Sequence, residues 1–448
     1  FAKKPVWLLS ILILFPCYCY GKISVTPGAA DTVSYTHVLF ELQWPENSRM
    51  CELVLFKHGT TDTIRKSVYS GQVLVDSGLS FGNTYSWMYT CADKNGKPIF
   101  TSGVYQLSII GQDVADTSLY HYKVCVAQKG KYFPALIMLD MGVILDRQGK
   151  PVWTFPKGKF GAVRCFDMTN EGNLIFLSDG SGYETDIRGK ILWETPDTIP
   201  GYGKADFHHE LKKLSNGNYL CLATCKNIDD DNRVYSLVLE INKNGRVIWC
   251  VDEKNWYVND TAFKGSHLNA AYYDESNMEL YLSHRDLGSI AKIDVTTNKP
   301  IYSIGYDYKN GTKYYPHDFF NGQHAVSVTG RNILLFNNNA LQNNKSSSIV
   351  LLSMPRGKKP PKKLWEYSFD FNGAKYNKVA KQGCVIQLPS GNFLICMGAN
   401  SKVLEVNMDK EIVWEMDVLK YNSSKSKFLP IPTGYRGSFT ERLYPELK

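Results

Sequence analysis

The sequence predicts an all-β chain in which a small N-terminal β-sandwich precedes a six-bladed β-propeller. Aromatic residues make up 13% of the chain, and Trp, Tyr and Phe in short runs favour strands over helices. Residues 23 to 110 hold the alternating runs KISVTP, HVLFELQWP, CELVLFKHG, GQVLVDSG, TYSWMYTCAD and GVYQLSII, with turn residues between them. Strands at that spacing read as a sandwich. From residue 120 onward one unit recurs, which is the third observation.

Each recurring unit is an apolar strand, a turn, an alternating strand, an Asn/Asp-Gly-Lys type of turn, and a strand carrying Trp. A partial first unit is ALIMLDMGVILDRQGKPVWTF, and the second is EGNLIFLSDGSGYETDIRGKILWETP. NGNYLCLATC with YSLVLEINKNGRVIWCV makes the third, and NMELYLSHRDLGSIAKIDVTTNKPIYSIG the fourth. GRNILLFNNN with SSIVLLSM and KKLWEYSF follows, then SGNFLICMGANSKVLEVNMDKEIVWEMDV. The closing tryptophans are Trp153, Trp193, Trp249, Trp365 and Trp414, with Tyr302 in that place in the fourth unit. All-β units of this length, repeated six times, are the signature of a propeller. The segment GSFTERLYPEL is expected to complete a blade.

The start, FAKKPVWLLSILILFPCYCYGK, has the basic flank, short apolar run and small or polar exit of a secretory signal. The run is too short to span a membrane comfortably. The expected domains are therefore a signal peptide at 1–22, the sandwich at 23–111 and the propeller at 112–448, in a periplasmic or otherwise exported protein. A lipid anchor at Cys17 or Cys19 is the lesser alternative, because Pro16 is a poor neighbour for a lipidated cysteine. Nine cysteines remain after the signal, an odd count that leaves a thiol unpaired. Cys51 and Cys91, on separate N-terminal strands, are the candidate disulfide. Cys221 and Cys225 share a strand face and are too far apart to bridge. No CxxC pair suggests a structural zinc site.

Net charge is +8, yet the basic residues are scattered. The one dense run, Arg356–Lys363, reads as a solvated loop between strands, so no nucleic-acid partner is expected. No GxxxxGK loop is present to cradle a nucleotide.

The chemistry is concentrated in histidines that precede the second strand of successive units. His209 lies nine residues before Asn218, His267 ten before Asn277 and His324 eight before Asn332. Arg164 and Gly383 each stand nine before Asn173 and Asn392. If these strands line a central channel, three present histidine at nearly one level and a fourth presents arginine. Alternation puts His267 and Asn269 on one face and lets only one of His208 and His209 face the channel, with His209 preferred by register. Arg285, on the neighbouring strand, reaches toward the channel mouth. His284 and His317 are candidates for outer support, and His37, His58 and His121 lie outside the pattern.

Neutral imidazole is a nucleophile and a general acid–base near neutral pH. Arginine grips oxyanions through paired hydrogen bonds. Together they suit transfer of a charged group through a covalent histidine intermediate, by extension from phosphoryl transfer. A three-histidine zinc or copper site, serving a hydrolase or lyase, is the rival chemistry, opposed by the guanidinium beside it. A propeller that only binds anionic or aromatic ligands is the non-catalytic alternative.

The motifs FHHELKKLSNGNYL, SHLNAAYYDESNMELYLSHRDLGSIAKID, FFNGQHAVSVTGRNILLFNNN and LPSGNFLICMGANSKVLEVNMDKEIVWE, in that order, resemble the arylsulfate sulfotransferase family, exported bacterial enzymes that use no nucleotide sulfate donor. The resemblance runs from residue 130 to the closing ERLYPEL, and the N-terminal region looks like the family's small domain. It implies ping-pong transfer of a sulfuryl group from an aryl sulfate to a phenol, with no cofactor or metal. His324 would be the nucleophile, His209 and His267 would handle protons or hold sulfuryl oxygens, and Arg285 and Asn269 would bind the sulfate. The 18-residue step from His267 to Arg285 matches the family's layout. His208 and Arg164 complete the candidate substrate-binding set. Three departures are visible: Ala325 follows the nucleophile where many relatives have an acidic or hydroxyl residue, the TGR turn is one residue tighter, and no cysteine lies between Cys250 and Cys384 to match the disulfide that some relatives carry near the nucleophile. The rim loops WYVNDTAFKG and YYPHDFFNG are expected to choose the acceptor phenol, and the sequence leaves a homo-oligomer open.

Overall fold

The computed structural model describes residues 25–225, 236–256, 265–309, 311–342, 344–371 and 377–445. The expected signal peptide, Cys17, Cys19 and most of the WYVNDTAFKG loop lie outside these residues. The described chain is all β, with strands joined by turns and short 3₁₀ segments. It forms two compact units.

The first unit comprises the segments up to Asp31, Val38–Gly78 and Thr84–Ser108. In its long strand Asn83–Ala92, burial alternates residue by residue, so that Tyr85, Trp87, Tyr89 and Cys91 all point inward. Trp87 meets Phe40 of the two-stranded ribbon Val38–Glu41/Gln72–Val75 edge to face, with 5.0 Å between ring centroids. Cys51 and Cys91 are direct cross-strand partners and form the expected disulfide. Of the expected strand KISVTP, whose first three residues lie outside the described ones, Thr26 makes a bridge to Glu41. Thr63–Val68 and Pro98–Thr101 are strands that hydrophobic alternation missed, because their outward residues are polar or exposed.

The second unit holds six successive sheets, each a meander at its core. The first consists of Leu136–Leu139, Val143–Leu145 and Pro151–Thr154, completed by Gly437–Thr440 from the C-terminus. The other five start on Val163–Met168, Gly203–Lys213, Leu268–Asp274, His324–Thr329 and Cys384–Gln387. In the last, Tyr120–Ala127 pairs with Ile412–Asn422. All six share one irregularity: the residue opposite Trp153, Trp193, Trp249, Tyr302, Trp365 or Trp414 is followed by a register shift.

Aromatic donors at these edges link each sheet to the next. Indole N–H groups of Trp153, Trp193 and Trp256 donate to the carbonyls of Ile187, Asn242 and Asn298. The Tyr315 hydroxyl donates to Gly357 O, Trp365 to Met408 O, and Trp414 of the sixth sheet to Arg147 O of the first. Four of the recurring tryptophans, Trp153, Trp193, Trp365 and Trp414, are therefore linkers between units, while Trp256 and Tyr315 take that part in place of Trp249 and Tyr302.

The link from the sixth sheet to the first is reinforced by a buried ion pair between Arg147 and Glu405, whose side chains are 5% and 0% exposed. The guanidinium lies 4.3 Å from the Trp414 ring, and burial pushes its pKa down to about 10. Glu405 also accepts from Phe133 N and from Asn392 Nδ2. Removing one partner of such a pair leaves an uncompensated buried charge. We therefore expect Arg147→Met to cost about 3–5 kcal/mol in urea unfolding, and Arg147→Met/Glu405→Gln together to cost less. A loss under about 1 kcal/mol for the single variant would contradict this role.

Candidate active site

The first strands of the second to fifth sheets do not keep regular alternation. One extra residue is inserted between Arg164 and Asp167, two between Phe207 and Leu211, one between Leu268 and Ala270, and one between His324 and Ser327. At or beside each insertion a non-glycine residue takes a left-handed backbone: Cys165, His209, His267 and Ala325, with φ of 54°, 60°, 50° and 51°. Gln382, with φ of 66°, does the same just ahead of the first strand of the sixth sheet. Such residues cost of order 1–3 kcal/mol each and persist only where the surroundings impose them. Bulges turn side chains out of the sheet's alternation and recur beside active sites.

His324 is 3% exposed. Its Nδ1 lies 2.7 Å from Asn338 Oδ1. Asn338 Nδ2 donates to the carbonyls of Val379 and Gln382, at 2.7 and 2.9 Å. Carbonyls only accept, so the amide cannot be reversed, and its oxygen must face the imidazole. His324 Nδ1 therefore carries the proton. On the other side the Gln382 backbone N–H points at Nε2 from 3.3 Å, which identifies Nε2 as the lone-pair nitrogen. Burial pushes the His324 pKa down to about 4, against the Asn338 hydrogen bond and with help from the positive charges of Arg285 and Arg436. The ring is thus neutral at pH 7, with one nitrogen oriented and the other available.

His209 and His208 meet through their Nδ1 atoms at 2.6 Å, and His208 Nε2 lies 2.6 Å from Thr224 Oγ1. The His209 ring is 5.7 Å from that of His267 and 5.2 Å from that of Tyr435, which in turn is 5.9 Å from His324. Burial lowers the pKa of His208 to about 4 and that of His209 to about 2, the latter further depressed by its histidine neighbour and Arg436. The two-residue insertion overrides the alternation that would have sent these rings to opposite faces.

Tyr435 and Arg436 were not among the residues singled out from sequence. They stand just before Gly437–Thr440, at the place that the histidines occupy in other sheets. Arg436 Nη1 donates to both oxygens of Glu210, at 2.9 and 2.8 Å, and Nη2 to Asn269 O at 3.2 Å. Its backbone N–H donates to Asp140, whose carboxyl is pushed up to about 6 by burial. The signal available was positional: Tyr-Arg-Gly before the last strand is the first sheet's counterpart of the histidine stretches.

Asn269 is fully buried, its Nδ2 donates to Gln323 O at 2.8 Å, and its Oδ1 meets no protein donor. The His267 side chain is 41% exposed, with Nδ1 3.4 Å from Asp286 Oδ2. Alternation implied a shared face for the two, and the bulge at Asn269 separates them. Arg285 is set alongside His267 by its backbone N–H, which donates to His267 O at 3.1 Å, and its Nη1 bonds Asp286 at 2.5 Å. Arg164 is exposed, and its neighbour Cys165 reaches His209 O with its thiol at 3.0 Å. His284 is buried beside Glu253 and Tyr308, and His317 braces the turn at Gly288. His58 bonds Ser86, and His121 packs on Phe428. Among the described residues, the grouping with metal-ligand spacing is Cys125, Glu415 and Asp417 rather than the histidines. Lys402 Nζ already bonds both of its carboxylates.

The family model Arylsulfotransferase (ASST) matches residues 133–384, more than half of the chain. A search of curated proteins finds no match. Similar solved structures include a protein of unknown function from Bacteroides caccae, 12% identical over 68% of this chain and 99% of that one, with a TM-score of 0.44. A streptogramin B lyase is 11% identical over 72% and 99%, with a TM-score of 0.39. A putative 6-phosphogluconolactonase from Bacteroides fragilis is 12% identical over 89% and 100%, with a TM-score of 0.34. Likeness at this level bears on neither ligand nor chemistry.

The depressed pKa of His324 has a measurable consequence. Between pH 6.5, the ordinary value, and about 4 the unfolded chain takes up a proton that the folded ring refuses. This residue's share of stability is therefore present above pH 6.5 and lost as pH falls toward 4. In His324→Gln, urea-unfolding stability should decline less steeply over that window, by about 1.4 kcal/mol per pH unit. Parallel slopes for the two proteins would show that the ring titrates normally.

Proposed function

The chain belongs to the arylsulfotransferase family, and on that premise we propose that it moves a sulfuryl group from an aryl sulfate to a phenol through a sulfated His324. The carrying observation is the fixed tautomer of His324, with Nδ1–H on Asn338 and the Nε2 lone pair met only by the long Gln382 N–H contact. In the first half-reaction Nε2 attacks sulfur, the N–S bond forms, the S–O bond to the aryl group breaks, and the phenolate leaves. The long Gln382 N–H contact yields to the incoming sulfur, and that amide can then serve a sulfuryl oxygen. In the second half-reaction a phenol surrenders its proton, its oxygen attacks sulfur, and His324 is released. Neither half needs a nucleotide sulfate donor or a metal.

His209 is the proton donor and acceptor of this scheme, placed beside Tyr435 and His267. Arg285 and His267 hold the sulfuryl oxygens once Asp286 gives up one of its contacts to them. Asn269 serves substrate binding from behind, its Nδ2 holding the Gln323 carbonyl next to His324. Arg436 stays paired with Glu210 and holds the Asn269 backbone. His208 acts behind His209, and Arg164 serves the rim. Loose transition states of this kind draw their stabilisation from positioning and fixed charge.

The same proposal includes a closed six-bladed propeller, supported by six sheets whose edge hydrogen bonds run from each to the next and from the last to the first. It includes a β-sandwich in the N-terminal unit and an exported, periplasmic protein, supported by the leader-like start and the Cys51–Cys91 disulfide.

Wild type and His324→Ala are to be compared with a chromogenic aryl sulfate and phenol. We expect the substitution to lower turnover by at least 1,000-fold, on the order of losses seen for catalytic groups. Quenched wild type should carry one SO₃ by intact mass, and His324→Ala none. Equal turnover, or an adduct on both proteins, would overturn the assignment. Turnover that disappears with a chelator would favour a metal-dependent hydrolase, and binding without turnover a ligand-binding protein.

A further inference from the structure

His208 has no contact with the reacting atoms in the scheme above, yet it is the middle of an unbroken hydrogen-bonded line. Thr224 Oγ1 lies 2.6 Å from His208 Nε2, and His208 Nδ1 lies 2.6 Å from His209 Nδ1. Thr224 is half-buried, on Tyr219–Cys225, with its backbone opposite the exposed Asp206. His209 sits at the other end, against His267 and Tyr435. We propose that Thr224, His208 and His209 form a proton relay that joins solvent to the phenol oxygen and lets His209 act in turn as acid and base. The proposal rests on the sulfuryl-transfer reading and names the route by which its protons move.

The need for a relay follows from proton balance. His209 is neutral in the folded protein, because burial and the positive charge of Arg436 disfavour its imidazolium. A neutral imidazole that gives up its only N–H becomes an imidazolate, which is prohibitively basic at neutral pH. It can donate from Nε2 only if a proton arrives at Nδ1 in the same event. The His208 Nδ1–H is in place to supply it, while His208 Nε2 takes the Thr224 hydroxyl proton and the hydroxyl is replenished from water. The sum is one proton passed from water to the leaving phenolate, with each imidazole exchanging one tautomer for the other.

In the second half-reaction every transfer reverses. The acceptor phenol gives its proton to His209 Nε2, His209 Nδ1–H passes one to His208, and Thr224 returns one to water. Over a turnover no proton is gained or lost. The groups facing the pair are Asp206, Glu253 and His267 around His208, and Arg436, His267 and His324 around His209. The carboxylates of Asp206 and Glu253 favour transient positive charge on the outer ring, and Arg436 disfavours it on the inner one. A passing proton is therefore held on the solvent side.

The test compares two donors. Phenyl sulfate releases a phenol of pKa about 10, which needs a proton, whereas 4-nitrophenyl sulfate releases a far more acidic phenol that leaves as its anion. In His208→Gln the amide can still hydrogen-bond His209 but cannot relay a proton. The ratio of kcat/KM for 4-nitrophenyl over phenyl sulfate should rise about 100-fold over wild type. Thr224→Val, which leaves both rings in place, should raise the same ratio about 10-fold, and Thr224→Ser should restore it. An unchanged ratio in the His208 and Thr224→Val variants, whatever the absolute rates, overturns the relay and marks a structural role. Intact mass after 4-nitrophenyl sulfate separates the two hypotheses: no SO₃ on wild type overturns the sulfuryl-transfer reading itself, whereas an SO₃ with an unchanged ratio overturns only the relay.

Discussion

The candidate site depends on a backbone constraint more than on any single side chain. In the first strands of four sheets an inserted residue and a left-handed turn break the period-two alternation. A regular strand would divide neighbouring side chains between its two faces. These bulges instead bring His208 and His209 into contact with each other, and set His267 beside Arg285. The constraint is held by packing and hydrogen bonds outside the site, because the left-handed residues are not glycines and would not adopt that conformation by preference. The Cys165 thiol on the His209 carbonyl is one such restraint.

The second feature of the site is the contrast between neutral histidines and a permanent charge behind them. Arg436 is largely buried, with Nη1 committed to Glu210 and Nη2 to the Asn269 carbonyl. Pairing with Glu210 keeps it charged despite burial. Desolvation, with a smaller contribution from this charge, holds His209 and His324 unprotonated. A neutral ring keeps a lone pair for nucleophilic attack or proton acceptance across the whole physiological range, whereas an ordinary surface histidine would lose that lone pair just below neutrality. The orientation of the His324 lone pair comes from Asn338, whose own amide is fixed by two carbonyls.

The all-β class, the recurring unit and the place of the histidines within it were legible in the sequence, because hydrophobic period and Trp spacing report directly on strands and their edges. The role of those tryptophans as donors to the neighbouring sheet was not, since it depends on which carbonyl the edge faces. The alternation argument for His267 and Asn269 failed because an inserted residue leaves no mark in composition. Tyr435 and Arg436 were missed for a related reason: the first sheet borrows its first strand from the far end of the chain, so no adjacent repeat marks their level. Asn338 was hidden in the run FNNN, where three identical residues give no indication of which one meets His324. Polar strands such as Thr63–Val68 escaped because their exposed faces carry no apolar pattern.

His324 is held, before any substrate arrives, as the neutral tautomer with its proton on Nδ1. Nitrogen-15 NMR of histidine-labelled protein, with His324→Gln used for assignment, reads both ring nitrogens directly. A protonated Nδ1 and an unprotonated Nε2 are expected at pH 7, unchanged down to pH 5. A proton on Nε2, or a doubly protonated ring within that range, would contradict this.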